Sequence, residues 1–517
     1  MKFVKYLGAL VLASGLTACG DDYLNPVESD YVTGDEVKET ATKDPDKVFA
    51  SQMSGVYSNW FFQLPVSTGN ILDHQNVGWS GLCMLSNVMS NDVSLYMDGD
   101  PWHYDQQLDY YAEQYVRARQ PWNFFYTVIK SANDIINQVD PETENDELQA
   151  YLGQALAFRG VSYFYLAQYF QHTYATSQDM PCVPLYLADY EESIMSRATV
   201  QQVFDRAEAD LLKAETMLDG FVRGGKSEID QQVVQGLLSR LYLVKREWAK
   251  AAEKANKARQ GYTLMDMQTA LEADYQDVLN PEVIWGVDIT TSTCMIYASY
   301  QSWMCAQSVG YGGQVGAFQL IDKKLYDNIP ASDVRKYLYY AEDTEYQAPG
   351  SKDPWTIPAL ANQKFKYVAE FLGDYIYMRA SEMYLTEIEA LYMNQQQGEA
   401  QALFQEFIAN RDAAWQGSVN KNLIRTQRRI ELWGEGFSFF DHRRWQMDMD
   451  RGYEGTNAVA SSWPTHQENG FVPWWHFSWR YQIPLKEIQE NDNINPEDQN
   501  PVGEEGNQDP SLKLADN

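Results

Sequence analysis

The amino-acid sequence predicts an all-α protein in which neighbouring helices pair and long irregular segments interrupt the pairs. Between Thr199 and Asp219, apolar residues recur every three or four positions, which is the spacing of an amphipathic helix. Thr199 stands where its side chain can cap the first turn of that helix. A second helix is predicted from Val233 to Tyr242, where Val and Leu residues follow the same spacing.

The helical segments also repeat a pattern of small and aromatic residues. Small residues at fixed spacing let two antiparallel helices approach closely, and the spacing typical of a tetratricopeptide repeat is followed by Ser239, Tyr242, Trp248, Ala251, Ala255 and Ala258. The same character recurs in 155–169 with 203–218, and in 375–393 with 400–409. We therefore predict a solenoid of degenerate repeats with long, loop-rich insertions. The alternative is a large α-helical enzyme with chance alanine spacing.

Residues 220–227, GFVRGGKS, match the phosphate-loop pattern G-x-x-x-x-G-K-[ST]. In a nucleotide-binding protein, a buried strand delivers the glycines and a helix begins near the Lys-Ser pair. Here a helical pattern precedes the glycines, and the next one begins several residues after Ser227. The segment is therefore predicted to be a turn between two helices and not a nucleotide site.

The first 18 residues (1–18) have the features of a secretory signal peptide followed by a lipid-attachment cysteine. Two lysines precede an apolar stretch that ends at Leu16 and is too short to span a membrane, and small residues lead to Cys19. The LTAC that ends at Cys19 resembles the bacterial lipobox, in which the cysteine becomes the acylated first residue of the mature protein. The alternative is an ordinary signal peptide with a chance cysteine. Because two or more acyl chains anchor a protein stably, we expect a soluble body tethered to a membrane.

The composition indicates a folded exterior protein that does not bind nucleic acid. With 517 residues, of which 44% are hydrophobic, the chain can bury a large core. Its formal net charge of −32 would repel a phosphate backbone. Beyond Cys19, the cysteines are too few for a disulfide scaffold, and they are Cys83, Cys182, Cys294 and Cys305. We expect buried free thiols, and a Cys294–Cys305 bond is the alternative.

Residues 428–445 read RRIELWGEGFSFFDHRRW, and further aromatic and charged motifs lie in 155–187, 196–211, 318–335, 374–391 and 481–503. Together these motifs resemble the SusD/RagB family of outer-membrane nutrient-binding lipoproteins of Bacteroidetes. The first motif is the most specific, being close to the family pattern R..EL.gEG.R.fDl.RW. The acidic pair Asp21 and Asp22 resembles the tag of surface-displayed lipoproteins of this group.

The charged residues of the 428–445 motif lie close together on helical segments. They are Arg428, Glu431, Glu435, Asp441, Arg443 and Arg444, with Trp433, Phe440 and Trp445 beside them. Opposed charges shielded by aromatic rings satisfy one another. We therefore expect a structural core here, and a catalytic site is the alternative.

The resemblance implies a SusD-like fold, with residues 19–517 as one mature domain made of an N-terminal part (19–230) and a C-terminal part (231–517). It implies a non-enzymatic binding protein, anchored through Cys19 and exposed at the cell outer membrane. Family members lie over a SusC-like TonB-dependent transporter, capture nutrient and pass it into the barrel. Most bind glycans and some serve peptide uptake, so an oligo- or polysaccharide is the expected ligand and a peptide the alternative.

A sugar-binding surface needs aromatic rings for the C–H face of the sugar and amide or carboxylate groups for its hydroxyls. Two segments outside the helical patterns, 78–108 and 294–314, combine such residues. The expected ligand-binding residues are Trp79, Asn91, Asp92, Trp102, Tyr104, Tyr300, Trp303 and Tyr311. Core packing is the alternative for each ring. If the rings bind ligand, Trp102→Ala or Trp303→Ala weakens binding without lowering thermal stability.

Catalytic and metal-binding patterns are weak in this sequence. The six histidines show no H-E-x-x-H spacing, and there is no G-x-S-x-G motif. We therefore expect no metal and no cofactor. A secreted α-helical glycoside hydrolase is the remaining enzyme hypothesis, because 72 Asp and Glu residues include chance carboxylate pairs.

Overall fold

The computed structural model describes residues 45–61, 74–109, 111–291, 293, 297–464 and 468–515. The predicted signal peptide, Cys19 and Cys294 lie outside the described residues. The chain divides into two compact units, Met1–Ser51 and Gln52–Asn517. The structure describes only 45–51 of the first unit, the start of a helix, and the following account concerns the second.

Helices dominate the described residues, and the strands among them are short. The α-helices are α1 Pro45–Phe61, α2 Trp79–Val88, α3 His103–Gln106, α4 Val116–Ile136, α5 Asp146–Phe170, α6 Tyr174–Ser177, α7 Val200–Met217, α8 Gln231–Lys245, α9 Trp248–Ala258, α10 Met267–Leu271, α11 Tyr300–Met304, α12 Tyr311–Val315, α13 Lys323–Asp327, α14 Ala380–Met393, α15 Gln397–Ala409, α16 Lys421–Glu431, α17 Ser438–Arg444 and α18 Leu485–Glu490. The strands are β1 Val93–Leu95, β2 Val283–Val287, β3 Gln319–Ile321, β4 Thr344–Tyr346, β5 Trp355–Ile357, β6 Tyr375–Arg379, β7 Met449–Asp450 and β8 Phe471–Val472. They form four antiparallel pairs, β1–β3, β2–β6, β4–β5 and β7–β8. The prediction of an all-α protein is confirmed.

Helices of the second unit pack side by side in chain order and form the predicted stack. α4 packs on α5, α5 on α7, α7 on α8, α8 on α9, α9 on α14, and α14 on α15. Glycine allows α5 and α7 to approach closely, because a Cβ on Gly160 would lie 3.0 Å from both the Ala207 carbonyl oxygen and the Leu211 side chain. The three repeat pairs predicted from the sequence are neighbours in this stack. In the part of the chain that the structure describes, no helix is both long and apolar enough to span a bilayer.

The start of α7 and the turn after it follow the sequence prediction. Thr199 caps α7, since its Oγ1 accepts a hydrogen bond from the backbone N–H of Gln202 at 3.2 Å. α7 ends at Met217 and α8 begins only at Gln231, so no helix starts at the Lys-Ser pair of the GFVRGGKS segment. Lys226 Nζ donates instead to the carbonyl oxygen of Asn280 at 2.8 Å. The turn therefore links the helical stack to the segment before β2 and lacks the geometry of a phosphate loop.

One segment with a predicted helical pattern is a strand. Residues 375–379 form β6, which pairs with β2, and α14 begins at Ala380. Tyr375 and Tyr377 are both buried. Aromatic and β-branched residues favour extended backbone when a partner strand covers them. The pattern in 375–393 is therefore helical only from Ala380 onward.

A buried network of charges ties the segments between α9 and α14 to the stack. Glu431, the last residue of α16, accepts hydrogen bonds from Arg335 at 3.1 Å, from Arg379 at 2.7 Å and from Arg411 at 3.0 Å. All four side chains are buried. Burial raises the pKa of Glu431, but the three arginines outweigh burial and hold it well below the ordinary value. The carboxylate is therefore ionised in the folded protein.

A second group of charges from the same motif pairs beside it. Arg428 and Arg444 each donate to Asp441 at 2.8 Å, and Arg444 also donates to Glu389. Arg443 differs, because it donates to a backbone carbonyl oxygen, that of Gln171. Arg428, Asp441 and Arg444 therefore pair with one another as the structural interpretation predicted, whereas Glu431 and Glu435 pair with basic side chains outside the motif.

Glu389 gives the folded state a pH dependence that can be measured. Burial raises the pKa of this carboxyl, but Arg444, Arg428 and the Trp445 indole N–H outweigh burial and lower it to about 2. An unfolded glutamate titrates near ~4.3, so the carboxylate stabilises the fold above that pH, and its contribution is lost as the pH falls toward 2. Glu389→Gln is expected to lower the free energy of unfolding by ~3 kcal/mol at pH 7 and by steadily less toward pH 2.

Chemical denaturation of both proteins between pH 7 and pH 2 measures this convergence. Glu345→Gln, at an exposed position of β4, is the control and is expected to match the wild type throughout. A difference between Glu389→Gln and wild type that is constant with pH would contradict the prediction.

Candidate functional site

The two segments expected to carry ligand-binding residues lie side by side. β1, in the first segment, pairs with β3, which follows the second, so that Val93 stands opposite Ile321. The rings of Trp102 and Trp303 meet edge to face, with their centroids 5.6 Å apart. The described parts of 78–108 and 294–314 therefore form one region of the molecule.

Most of the expected ligand-binding residues are buried in this region. The buried ones are Trp79, Asp92, Trp102, Tyr300 and Trp303. Trp102 packs between Trp303 and the guanidinium of Arg117, and Trp303 Nε1 donates to the carbonyl oxygen of His74 at 2.7 Å. These rings support the surface from within and present almost no area to a ligand. We therefore expect Trp102→Ala and Trp303→Ala to lower the stability of the fold, contrary to the expectation from the sequence.

Asn91 and Asp92 hold the frame of the region. Asn91 Nδ2 donates to the carbonyl oxygen of Asp448 at 2.8 Å. Asp92 accepts hydrogen bonds from Arg429 at 2.7 Å and from Ser438 at 2.8 Å. Burial by itself raises the pKa of Asp92. The positive charge of Arg429 and the other polar neighbours lower this pKa by more than burial raises it, so the net shift is downward. Both side chains are engaged with the protein's own groups.

Tyr311 and Tyr104 are the expected aromatic residues whose rings reach the surface. Tyr311 lies in a cluster with two residues outside the expected set, His74 and Tyr297. His74 Nδ1 lies 3.0 Å from the Tyr311 hydroxyl, and His74 Nε2 lies 2.9 Å from the Tyr297 hydroxyl. The ring centroids are 5.2 to 5.4 Å apart, and Tyr297 is 48% exposed. We name His74, Tyr297 and Tyr311 the tyrosine platform.

Local sequence explains how Tyr311 is held. A Cβ on Gly312 would lie 2.1 Å from the Trp303 carbonyl oxygen, so only glycine allows α12 to pass so close to α11. The backbone N–H of Tyr311 donates to Ser302 Oγ at 2.8 Å. The Tyr311 ring packs edge to face on Trp303, with centroids 4.6 Å apart. The buried tryptophan and the glycine together fix the orientation of the platform.

The platform presents both hydrogen-bond donors and acceptors. In its neutral form the His74 imidazole has one donor and one acceptor nitrogen, so that form donates to one tyrosine hydroxyl and accepts from the other. The hydroxyl that accepts keeps its own proton for an outside acceptor, and both hydroxyls keep lone pairs. Tyr96 and Tyr104, exposed by 46% and 43%, add ring surface in the same region. Exposed aromatic faces with fixed hydroxyls suit the C–H face and hydroxyls of a sugar.

The cysteines that the structure describes lie in the interior. Cys83, Cys182 and Cys305 are buried free thiols, as expected. Burial raises the pKa of Cys83 and Cys182 to about 12 and that of Cys305 to about 11, so these thiols stay protonated near neutral pH. Within the described ranges, no group of three or more His, Cys, Asp and Glu side chains is placed to hold a metal ion.

Comparison with known proteins gives the family. Residues 81–243 match a SusD-like family model described as "Starch-binding associating with outer membrane", and residues 361–502 match the model of the SusD family. Together the two matches cover more than half of the chain. No curated protein matches the sequence.

Solved structures show the same fold. A SusD-like carbohydrate binding protein from Bacteroides vulgatus is 23% identical, and the match covers 88% of this chain and 98% of that one with a TM-score of 0.73. A SusD superfamily protein from Bacteroides thetaiotaomicron is 20% identical over 88% of this chain and 99% of that one, with a TM-score of 0.70. The helical stack, the buried charges of the 428–445 motif and both family matches agree: the chain belongs to the SusD/RagB family.

Proposed function

We propose that this protein is a cell-surface lipoprotein that captures an oligo- or polysaccharide and delivers it, uncleaved, to a SusC-like TonB-dependent transporter. Membership of an outer-membrane-associated binding family supports the binding role. The lipobox-like sequence that ends at Cys19 supports attachment through a lipid anchor. In this proposal, the ligand that is captured at the surface then passes to the transporter.

The tyrosine platform is the observation that carries the choice of a sugar ligand. Sugar recognition combines stacking on an aromatic face with hydrogen bonds of fixed direction. Tyr297 and Tyr311 supply accessible rings, and His74 fixes both hydroxyls. Buried Trp303 supports the cluster from beneath, so little freedom remains to be lost when a ligand binds.

Tyr297→Ala and Tyr311→Ala are expected to weaken glycan binding about tenfold each, or ~1.4 kcal/mol, because each removes a stacking face and a hydroxyl. Isothermal titration calorimetry of the wild type against maltohexaose, xylohexaose, mannohexaose and laminarihexaose selects the glycan to use. Tyr337→Ala is the matched control, since Tyr337 is 58% exposed in another part of the chain. Its affinity is expected to equal that of the wild type.

Other results would lead to other functions. If no glycan binds and a peptide mixture does, the protein is a peptide-uptake lid and the sugar proposal is wrong. If the purified protein releases reducing sugar and a single carboxylate substitution abolishes the release, it is a glycoside hydrolase. Binding that is equal in the wild type and in both platform variants would place the glycan elsewhere on the surface.

A further inference from the structure

A cavity lies on the helical stack, and none of the platform residues lines it. It is open to solvent, has a volume of about 620 Å³, and lies between α4, the loop that contains Tyr186, and α18. The rings that line it with exposed area are Tyr126 and Tyr186, with centroids 5.3 Å apart, and the buried Trp122 packs against Tyr126 with centroids 4.8 Å apart. We name Tyr126 and Tyr186 the aromatic floor.

Hydrogen bonds from several elements fix the aromatic floor. The Tyr186 carbonyl oxygen accepts from Asn133 Nδ2 of α4 and from the Tyr163 hydroxyl of α5, each at 2.8 Å. The Tyr186 hydroxyl donates to Glu487 of α18 at 2.8 Å. The Tyr126 hydroxyl donates to the carbonyl oxygen of Pro184, also at 2.8 Å. The rings are therefore held in place before any ligand arrives.

Polar side chains surround the floor, and most of their charge is negative. The rim of the cavity includes exposed Asn123, Lys130 and Asp134 of α4, and Asn137, which directly follows α4. A smaller cavity of about 440 Å³ shares Asn137, Leu187 and Ala188 with the first. It adds the carboxylates of Asp140, Asp189 and Glu192, and the guanidinium of Arg159, which is already paired with buried Asp210. Amides and carboxylates bind sugar hydroxyls, whereas this excess of acidic groups repels anionic ligands.

The two cavities together have the length of a short oligosaccharide. The lining runs from Trp122 of α4 to Asn137, which directly follows α4, and at 1.5 Å per residue this stretch spans roughly 22 Å. We infer that these joined cavities form a second glycan-binding site, which takes one end of a neutral oligosaccharide and excludes uronic-acid and sulfated sugars. This inference rests on the proposed function, since it assigns a further site to the same class of ligand.

Thr127→Trp tests the second site without disturbing its floor. Thr127 is exposed and lines the larger cavity, so an indole there fills the space while the floor hydrogen bonds remain. Lys213→Trp, at an exposed position of α7 that lines neither cavity, is the matched control. Calorimetry on the mature chain uses the four neutral hexasaccharides named above, hexagalacturonate, and a basic hexapeptide of alternating lysine and glycine.

The expected result is two binding sites for one neutral hexasaccharide in the wild type. In the Tyr297→Ala variant, binding at the second site is expected to remain. Adding Thr127→Trp to this variant weakens the remaining binding at least tenfold, whereas adding Lys213→Trp does not. A single wild-type site that Tyr297→Ala weakens and Thr127→Trp leaves unchanged overturns the inference and keeps the proposed function. Absence of binding to every neutral hexasaccharide overturns both. Binding of hexagalacturonate or of the peptide that Thr127→Trp abolishes overturns the assignment of the cavities to neutral sugars.

Discussion

Glu431→Gln is expected to lower the free energy of unfolding by about 3 to 5 kcal/mol, because it removes the carboxylate that three buried arginines share and leaves them with too little negative charge around them. Glu431 accepts from Arg335, Arg379 and Arg411, and all three arginines are buried. A neutral amide of the same shape supplies no negative charge to offset the arginines. Its NH₂ group also places a hydrogen-bond donor against the N–H donors of the guanidinium groups. Thermal unfolding followed by circular dichroism measures the loss.

Two comparisons make this result specific. Glu345→Gln removes an exposed carboxylate. It is expected to change the free energy of unfolding by no more than about 0.5 kcal/mol, which is the usual range for surface substitutions. Because Glu431 connects segments on both sides of α14, its loss is also expected to increase hydrogen exchange in β6 and around Arg335 more than in α5. A Glu431→Gln protein as stable as the wild type would show that the network is not what holds these segments.

Trp303→Ala is expected to reduce both stability and glycan binding. The ring is 2% exposed and contacts Trp102 and Tyr311, so its removal leaves a cavity that destabilises the fold by about 3 to 5 kcal/mol. The variant also loses the hydrogen bond from the indole N–H to the His74 carbonyl oxygen. Because the tyrosine platform rests on this ring, binding is expected to weaken although the ring itself touches no ligand. Thermal unfolding and calorimetry on the same samples measure both effects.

The control for this prediction is Trp355→Ala, since Trp355 is 37% exposed on β5. Its melting temperature is expected to stay close to that of the wild type. If Trp303→Ala weakens binding while its melting temperature is unchanged, the ring contacts the ligand directly, and the interpretation made from sequence was right after all.

Helices and their pairing could be predicted because their signals are local and periodic. The Ala251 and Ala255 contacts of the α8–α9 pair follow from spacing alone, and Thr199 begins α7 as its position beside Gln202 indicates. The aromatic run 474–481 directly precedes the 481–503 motif, and its Trp474, Phe477, Trp479 and Tyr481 are buried. In these cases the residues that decide the structure lie close together in the chain.

The candidate site was only partly predictable, because it depends on contacts between distant segments. His74 lies 223 positions from Tyr297 and 237 positions from Tyr311 in the chain, and nothing near His74 in the sequence indicates those partners. Trp102 and Tyr104 both lie in a segment rich in aromatic and acidic residues, yet Trp102 is buried and Tyr104 is 43% exposed. Composition selects the right segments, whereas tertiary packing decides which ring faces solvent.

The helical stack is continuous in space but discontinuous in the chain, since α9 packs on α14 across the intervening residues 259–379. Doubling the length of such an excursion adds only about 0.6 kcal/mol of closure entropy. Insertions and exchanges there are thus thermodynamically inexpensive as long as the arginines that meet Glu431 remain. The ligand specificity of such a protein can change in evolution while its helical backbone stays superposable. A shared backbone shape at 23% identity is therefore weak evidence for a shared nutrient.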